Sequence, residues 1–294
     1  MTIALATPDA EGLLQAVRAL ATWQRTGEPL QLHPGDIGWF WRLGGERAAD
    51  AVRTWSADGT IVAVGLLDGD DMLRVTTAPA LRQDAALATA MADDIARPER
   101  GVLPEGAAYV EVPSGALLDA RLAEHGWAVG EGWTPLERDL SAAVELPRGE
   151  RQLRIVEVDG SDAAVVTAWA AVQRSAFDAP AAVDERWYAM AEGAPFVDAR
   201  CLLGYDGDEP AAGIIAWSAG EGRPGIIEPM GVHAAHRGRG HARAITLAAA
   251  AALRELGASS AQVCTESDRT AAIATYRSAG FEPMPERFDR SRSA

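Results

Sequence analysis

The chain has 294 residues, of which 48% are hydrophobic and 23% charged, a composition typical of a folded globular protein rather than a disordered one. The absence of lysine and asparagine excludes a lysine-containing phosphate loop, Schiff-base chemistry, N-glycosylation and a Cys-His-Asn protease. The net charge of −15 argues against an extended nucleic-acid or anionic-membrane surface; it suits a cationic small molecule, and solubility explains it equally well.

Helical and strand-like patterns alternate along the N-terminal half. In chain order, the sequence predicts a helix over residues 12–25, β-rich runs over 52–67, a strand over 72–77, a helix over 84–95, a strand over 109–112 and a helix over 117–125. A polar stretch with proline and glycine, residues 145–151, follows and has the composition of a linker.

The C-terminal half repeats this order of elements. The predictions are a helix over 161–177, β-rich runs over 201–217, a strand over 226–232, a helix over 242–256, a strand over 261–265 and a helix over 271–279. The repeated order indicates a duplication, and the interleaved strands and helices indicate an α/β layered architecture in each half. We predict domains over 1–145 and 152–294, with a frayed polar tail over 289–294.

Three features of the sequence predict the cellular compartment: its few cysteines, the lack of a signal-peptide pattern and the lack of a long apolar run. The two cysteines, Cys201 and Cys264, lie far apart, which favours a reducing compartment without a disulfide framework. No basic region precedes an apolar run near the N-terminus, and no apolar run approaches the roughly 20 residues of a membrane span. We therefore expect a cytoplasmic protein with no membrane and no nucleic-acid partner. Abundant alanine, glycine and arginine without lysine or asparagine suggest a bacterial source.

The most informative segment joins the strand over 226–232 to the helix that follows it. Gly238 and Gly240 let the backbone approach a ligand closely, and the free N–H groups at the start of the helix face the same place. Arg237 and Arg239 add two positive charges that can fork onto phosphate oxygens. The segment therefore predicts a pyrophosphate site, although a Gly-x-Gly loop can also serve only to turn a strand into a helix.

Residues 237–242, Arg-Gly-Arg-Gly-His-Ala, resemble the acyl-CoA-binding motif of the GNAT N-acetyltransferases. The second signature of that family matches Ala272, Tyr276 and the pair Gly280-Phe281, while Arg269 stands where the family usually has asparagine. The resemblance covers about residues 152–288. It implies a tandem protein of two GNAT-like domains, each with a mixed, mostly antiparallel central sheet flanked by helices.

The first half is similar to a degenerate copy of the second. Residues 78–84 contain no glycine pair, and Leu122 stands where the second half has Tyr276. The sequence therefore predicts one working site, in the C-terminal half. The N-terminal copy either shapes the acceptor pocket or only packs against its partner.

The family resemblance also implies which residues hold acetyl-CoA as co-substrate. Backbone N–H groups of the strand would bind the pantetheine and the thioester carbonyl, and the loop would bind the phosphates. The implied residues are Met230, Gly231, Val232, Arg237, Gly238, Arg239, Gly240, His241, Ala242, Arg269, Ala272 and Tyr276. No metal is expected, because the spacing of His233, His236 and His241 matches no helical metal site.

Glu228 and Tyr276 are the candidate catalytic residues. Glu228 shares a strand face with Met230 and Val232, and burial of a carboxylate there would raise its pKa towards that of a useful base. Glu228 could instead be a structural carboxylate or bind the acceptor amine, and a water chain could remove the proton. The resemblance implies that Tyr276 protonates the coenzyme A sulfur; it could also only position the sulfur or pack in the core.

The predicted enzyme is an acyltransferase that moves groups other than aminoacyl groups. It would transfer an acetyl group from acetyl-CoA to a primary amine of a small molecule by direct attack in a ternary complex. The alternatives are a catalytically idle acyl-CoA-binding or regulatory protein, and an O-acyl or longer-chain acyltransferase on the same scaffold. We expect a monomer or a homodimer.

Overall fold

A computed structural model describes residues 2–146, 153–178 and 183–294. The predicted linker over 145–151 therefore lies mostly outside the described residues. The domain boundaries at 145 and 152 stay predictions.

The N-terminal half contains each of the elements expected there, close to the predicted positions. The elements are β1 Ile3–Ala6, α1 Ala10–Trp23, α2 Pro34–Phe40, α3 Gly45–Ala51, β2 Val52–Ala57, β3 Thr60–Leu67, β4 Met72–Thr77, α4 Ala85–Ala96, β5 Ala108–Glu111, α5 Leu117–Glu124 and β6 Ala128–Asp139. The sequence did not predict β1, α2, α3 or the long strand β6.

The C-terminal half likewise contains its expected elements. They are β7 Arg154–Glu157, α6 Ala163–Phe177, α7 Val183–Ala191, β8 Ala199–Asp206, β9 Glu209–Trp217, β10 Gly225–Val232, α8 His241–Glu255, β11 Ser260–Glu266, α9 Thr270–Ser278, β12 Glu282–Pro283 and β13 Arg287–Arg292. Here the sequence did not predict β7, α7, β12 or β13.

The strands of the two halves join into one continuous mixed sheet. Its order is β1-β2-β3-β4-β5-β13-β6-β11-β10-β9-β8-β7, with the short β12 also paired to β6. Strand β13, from the end of the chain, lies between β5 and β6 of the first half and pairs antiparallel with both. Strand β6, from the first half, pairs antiparallel with β11 over seven residue pairs. The two halves are therefore interlocked through exchanged strands rather than placed side by side.

The prediction of a frayed tail over 289–294 was wrong. Ser291 pairs with Tyr109 on one side and with Ala128 on the other, so the backbone there belongs to the sheet interior. The guanidinium of Arg290 also donates to both carboxylate oxygens of Asp119, at 2.7 and 2.6 Å. The polar residues of the tail are thus held by backbone pairing with β5 and β6 and by a bidentate ion pair. The composition of the tail itself predicts neither interaction.

Helices cover both faces of the sheet, which confirms the layered α/β class. Alternate residues of β9 contribute to different core clusters: Ile214 packs with α8, and Ile215 packs with α6 and α7. The predicted apolar face of α8 is buried, with Ile245 and Leu253 both fully inaccessible. Among the helices of the described ranges, none is both long and apolar enough to span a membrane.

Candidate active site

Strands β10 and β11 separate in the middle of the sheet. They pair in parallel only at Gly225 with Ala261 and at Ile226 with Gln262. On its other edge β10 stays paired with β9 as far as Val232, after a bulge between Ile227 and Met230. From Ile227 to Val232 the edge of β10 that faces β11 therefore has no partner strand among the described residues, and an opening forms there.

A cavity of about 360 Å³ occupies this opening. It brings together five of the residues singled out from the sequence: Glu228, Met230, Arg269, Ala272 and Tyr276. Residues of the N-terminal half and of β13 complete the wall, among them Arg74, Glu111, Trp133 and Arg287. The N-terminal half thus contributes side chains directly to the candidate site.

Gly231 and Val232 lie further along β10 and do not line this cavity. They pair with Gly213 and Ala212 of β9. A β-carbon at Gly231 would lie 2.7 Å from Cβ of Ala176, so only glycine fits where α6 approaches the strand.

Glu228 is a carboxyl group with a strongly altered acidity. Burial raises the pKa of Glu228 to about 8, although the nearby guanidinium of Arg74 opposes the shift. The atoms Arg74 Nη1 and Glu228 Oε2 are 3.8 Å apart, and the buried carboxylate of Asp36 adds repulsion that favours the protonated form. A group with this pKa is largely protonated at neutral pH and can accept a proton above it.

Arg74 is the centre of a buried charge network that the sequence reasoning missed. Its Nη2 lies 3.0 Å from Asp36 Oδ1 and its Nε lies 3.1 Å from Glu111 Oε2. Arg287 Nη1 lies 2.6 Å from the other oxygen of Glu111. Burial alone would raise the pKa of Glu111, but the two guanidinium groups outweigh it and lower that pKa to about 2. The sequence did contain a signal for Arg74, because it is a charged residue within the apolar strand β4. A charged residue in an apolar strand is also what singles out Glu228.

Tyr276 is buried, with 6% of its surface exposed, and its ring lies 6.0 Å from that of Phe281. Its hydroxyl has no hydrogen-bond partner within the described part of the chain. Burial raises the pKa of Tyr276, and the charges of Glu228 and Cys264 act in the same direction. The phenol therefore stays protonated and is available as a proton donor on the cavity wall.

The loop after β10 has the geometry of an anion site. Gly238 and Gly240 adopt positive φ angles of 76° and 84°, and nothing lies within 4 Å of the position of a β-carbon at either residue. Helix α8 begins at His241, and its N-cap residue Gly240 provides no side-chain hydrogen bond. The first N–H groups of α8 are therefore open to a ligand at the positive end of the helix dipole.

The arginines of the loop already contact the protein itself. Arg237 donates to the carbonyl oxygens of Val232 and Ala176, at 3.4 and 3.3 Å. Arg239 Nη1 donates to Asp206 Oδ2 at 2.9 Å. The loop residues do not line the cavity that holds Glu228 and Tyr276.

Asp206, at the end of β8, is a further residue that the sequence reasoning missed. Its Oδ2 lies 3.3 Å from His236 Nδ1 and 3.2 Å from His241 Nε2. The three side chains could hold a metal ion, since their ligand atoms all lie within 4.8 Å of one another. The same oxygen already accepts from Arg239, and the hydrogen bonds from Arg239, His236 and His241 lower the pKa of Asp206. The predicted absence of a metal stays a prediction.

Arg269 occupies the N-cap position of α9, where the resembled family has asparagine. Its Nε lies 2.9 Å from Glu266 Oε2, and 64% of its side chain is exposed. The side chain thus reaches the cavity wall while tied to the end of β11. Ala272, one turn into α9, lines the same cavity.

The place in the N-terminal half that corresponds to the phosphate loop is closed. The N-terminus of α4 is capped by its own carboxylate, because Asp84 Oδ1 accepts from the N–H of Leu87 at 2.8 Å. The helix that would bind a phosphate therefore already holds an anion, as expected for a degenerate copy.

Comparison with known proteins relates the C-terminal half to one family and the whole chain to a known fold. Residues 166–281 match the model of the acetyltransferase (GNAT) family. No curated protein sequence matches the chain. The fold is similar to that of a tandem GNAT protein from the clavulanic acid biosynthesis pathway, with a TM-score of 0.63 and 17% identity over 99% of this chain and 98% of the other.

Two further solved structures cover nearly the whole chain. An acetyltransferase of the GNAT family from Colwellia psychrerythraea has a TM-score of 0.60 and 15% identity over 100% of both chains. A GCN5-related N-acetyltransferase from Sphaerobacter thermophilus has a TM-score of 0.59 and 20% identity over 99% of this chain and 95% of the other. Residues 166–281, in the C-terminal half, therefore match the GNAT acetyltransferase family, and the whole chain has the fold of a tandem GNAT protein.

Proposed function

We propose that the protein is an acetyl-CoA-dependent N-acetyltransferase that acts on a primary amine of a small molecule by direct attack in a ternary complex. Acyl transfer is the general activity of the family whose model residues 166–281 match. The observation that carries the proposal is the pairing of Glu228 and Tyr276 on one cavity wall, in the opening between β10 and β11. One group can accept a proton and the other can donate one.

The residues present fit acetyl-CoA at two places. The glycine pair and the uncapped N-terminus of α8 leave space and free N–H groups for phosphate oxygens. The unpaired edge of β10 offers backbone groups near Met230 and Val232 to the pantetheine amides. When bound, acetyl-CoA supplies the acetyl thioester.

Glu228 and Tyr276 then have complementary tasks. Glu228 accepts the proton that the acceptor ammonium must lose before nitrogen can attack. Tyr276 donates a proton to the sulfur that leaves, and it can do so because its phenol stays protonated. Arg74 holds a positive charge beside Glu228, so the carboxylate form stays accessible despite burial.

Thiol release with a library of primary amines tests the proposal. Tyr276→Phe should lower kcat by about 100-fold and change acetyl-CoA affinity little, because the phenol acts as an acid rather than as a binding contact. Tyr205→Phe is the matched control, since that phenol on β8 stacks against Arg154 instead. Full activity of Tyr276→Phe would remove the assignment of Tyr276 as the acid.

The main alternative is a catalytically idle acyl-CoA-binding protein. Such a protein would bind acetyl-CoA in calorimetry yet release no thiol with any amine of the library. Longer acyl-CoA donors and alcohol acceptors, assayed in parallel, distinguish longer-chain and O-acyl transfer. The cytoplasmic location and the monomeric or homodimeric state stay predictions of the sequence.

A further inference from the structure

A second cavity, of about 330 Å³, lies beside the first and shares Phe177, Glu228 and Pro229 with it. Aromatic rings form much of its wall, notably Trp39 from the N-terminal half and Trp187 from α7. Glu228 therefore stands where the two cavities meet. An acceptor bound in this aromatic cavity would present its amine to Glu228.

Two guanidinium groups line this aromatic cavity, and neither makes an ion pair with a carboxylate of the described residues. Arg42 follows α2 and Arg186 lies on α7, and both line the cavity. Within the described ranges, neither has an ion-pair partner within 4.0 Å. Arg42 Nη1 donates only to the carbonyl oxygen of Trp39, at 2.8 Å, and its guanidinium lies 4.2 Å from that ring.

The charges around Arg42 only partly offset the cost of burying its guanidinium. Burial lowers the pKa of Arg42, and the like charge of Arg186 acts in the same direction. Asp68 and Glu228 oppose this shift only in part. An anion placed between the two guanidinium groups would remove the repulsion and receive charge-assisted hydrogen bonds.

Two buried N–H donors on the same wall are also unsatisfied. Trp169 Nε1 and Gln173 Nε2 have no hydrogen-bond partner within the described part of the chain, and the two residues are 1% and 2% exposed. Both nitrogens lie 3.1 Å from the position of a β-carbon at Gly213, so the donors are close together. Leaving buried donors unpaired is unfavourable, and acceptor oxygens of a ligand would satisfy them.

We propose that the aromatic cavity binds an acceptor whose apolar body carries a carboxylate, with its primary amine at Glu228 and its carboxylate at Arg42 and Arg186. This inference rests on the proposed function, because it names the acceptor class for that reaction. It also gives the N-terminal half a role in specificity, since Arg42 and Trp39 belong to that half. The negative net charge of the whole chain does not predict this preference; the local positive charge does.

Direct binding to the protein without acyl-CoA tests the inference separately from catalysis. The probe is 4-(aminomethyl)benzoic acid, compared by calorimetry with its methyl ester and with benzylamine. We expect the acid to bind at least about tenfold more tightly than the ester, because only the acid offers a carboxylate to two guanidinium groups. Equal affinity for acid and ester, or no measurable binding of the acid, would overturn the inference.

The double variant Arg42→Met/Arg186→Met should abolish the preference for the acid while affinity for the ester stays unchanged. Arg97→Met is the matched control, because Arg97 forms an exposed pair with Asp93 on α4. Arg186→Met alone keeps the assay interpretable if the double variant does not fold, since Arg186 makes no ion pair within the described ranges. A double variant that keeps the full preference would contradict the inference.

Gln173→Leu separates a binding role from a structural one. Removing an unpaired donor should leave the free protein at least as stable to heat, yet weaken binding of the acid. A loss of stability with unchanged affinity would show that Gln173 serves the core instead. If the acid binds as expected but no thiol is released with acetyl-CoA, the proposed function fails while the assignment of the cavity survives.

Discussion

At the scale of single residues, the acidity of Glu228 is the feature on which the proposed chemistry depends. Its carboxyl group lies between a guanidinium that favours the charged form and a buried carboxylate that opposes it. Burial decides the balance and raises the pKa to about 8. Tyr276 faces the same cavity as a neutral phenol, so the two groups are prepared for opposite directions of proton transfer.

The pH dependence of the reaction follows from the pKa of Glu228. Only the deprotonated carboxylate accepts a proton, so kcat/KM should rise by about tenfold per pH unit below pH 8 and level off above it. Glu228→Gln should lower kcat/KM by about 100-fold above pH 8 and remove this rise. Glu157→Gln, an exposed carboxylate of β7, is the control.

The measurement is a pH series of thiol release with saturating amine and limiting acetyl-CoA. An unchanged profile in Glu228→Gln would show that another group or a water chain removes the proton.

The sequence predicted Glu228 and Tyr276 but missed the groups that determine their environment. Glu228 was detectable because a carboxylate in an apolar strand requires an explanation. Glu111 pairs with Arg74 and Arg287, which come from distant parts of the chain, and such pairings leave no local pattern. Asp206 was missed for the same reason, since its partners lie beyond a whole strand and a loop.

At the scale of elements, the separation of β10 from β11 creates the site, and β13 supports it. The hydrophobic pattern of the sequence predicted the order and position of β10 and β11. Strand β13 did not, because its residues are polar and its partners on both sides come from the first half. Its stability depends on long-range pairing and on ion pairs such as that of Arg290 with Asp119.

A proline in β13 tests whether the tail is part of the sheet. Ser291→Pro should lower the free energy of unfolding by at least about 2 kcal/mol, because an interior strand loses a backbone donor and its geometry. Ser293→Pro, just beyond the strand, is the control and should be near neutral. Chemical denaturation monitored by tryptophan fluorescence measures both variants. Equal stability of the two would mean that the tail lies outside the sheet.

At the scale of the whole molecule, a duplicated unit has divided its roles. The second half keeps an open helix N-terminus at α8, while the first half has capped the corresponding N-terminus of α4 with Asp84. The first half instead supplies charged and aromatic residues to the cavities, including Arg74, Glu111 and Trp39. Exchange of β6 and β13 between the halves places these contributions in one continuous sheet. Similarity of the halves was visible in the sequence, but the exchange was not.

Arg74 neutralises buried carboxylates of the first half and lies beside Glu228 of the second half. Arg74→Met should destabilise the protein by about 3–5 kcal/mol, because it leaves the buried carboxylates of Asp36 and Glu111 without their shared partner. Arg97→Met, which breaks only an exposed pair, should cost about 1 kcal/mol or less. Urea denaturation at neutral pH compares the two variants. Equal, small losses would mean that the buried charge network contributes little to the stability of the protein.

Calorimetric titration with acetyl-CoA tests the central claim most directly. The protein should bind acetyl-CoA at one site per chain, and Arg237→Ala/Gly240→Asp should weaken binding by at least about 100-fold, since an aspartate repels phosphate at an open helix N-terminus. Gly59→Asp, another position of positive φ but in the β2–β3 turn, should bind as tightly as the unaltered protein. Absence of binding by the folded protein, or equal binding by the loop variant, would contradict the assignment of the loop and the function built on it.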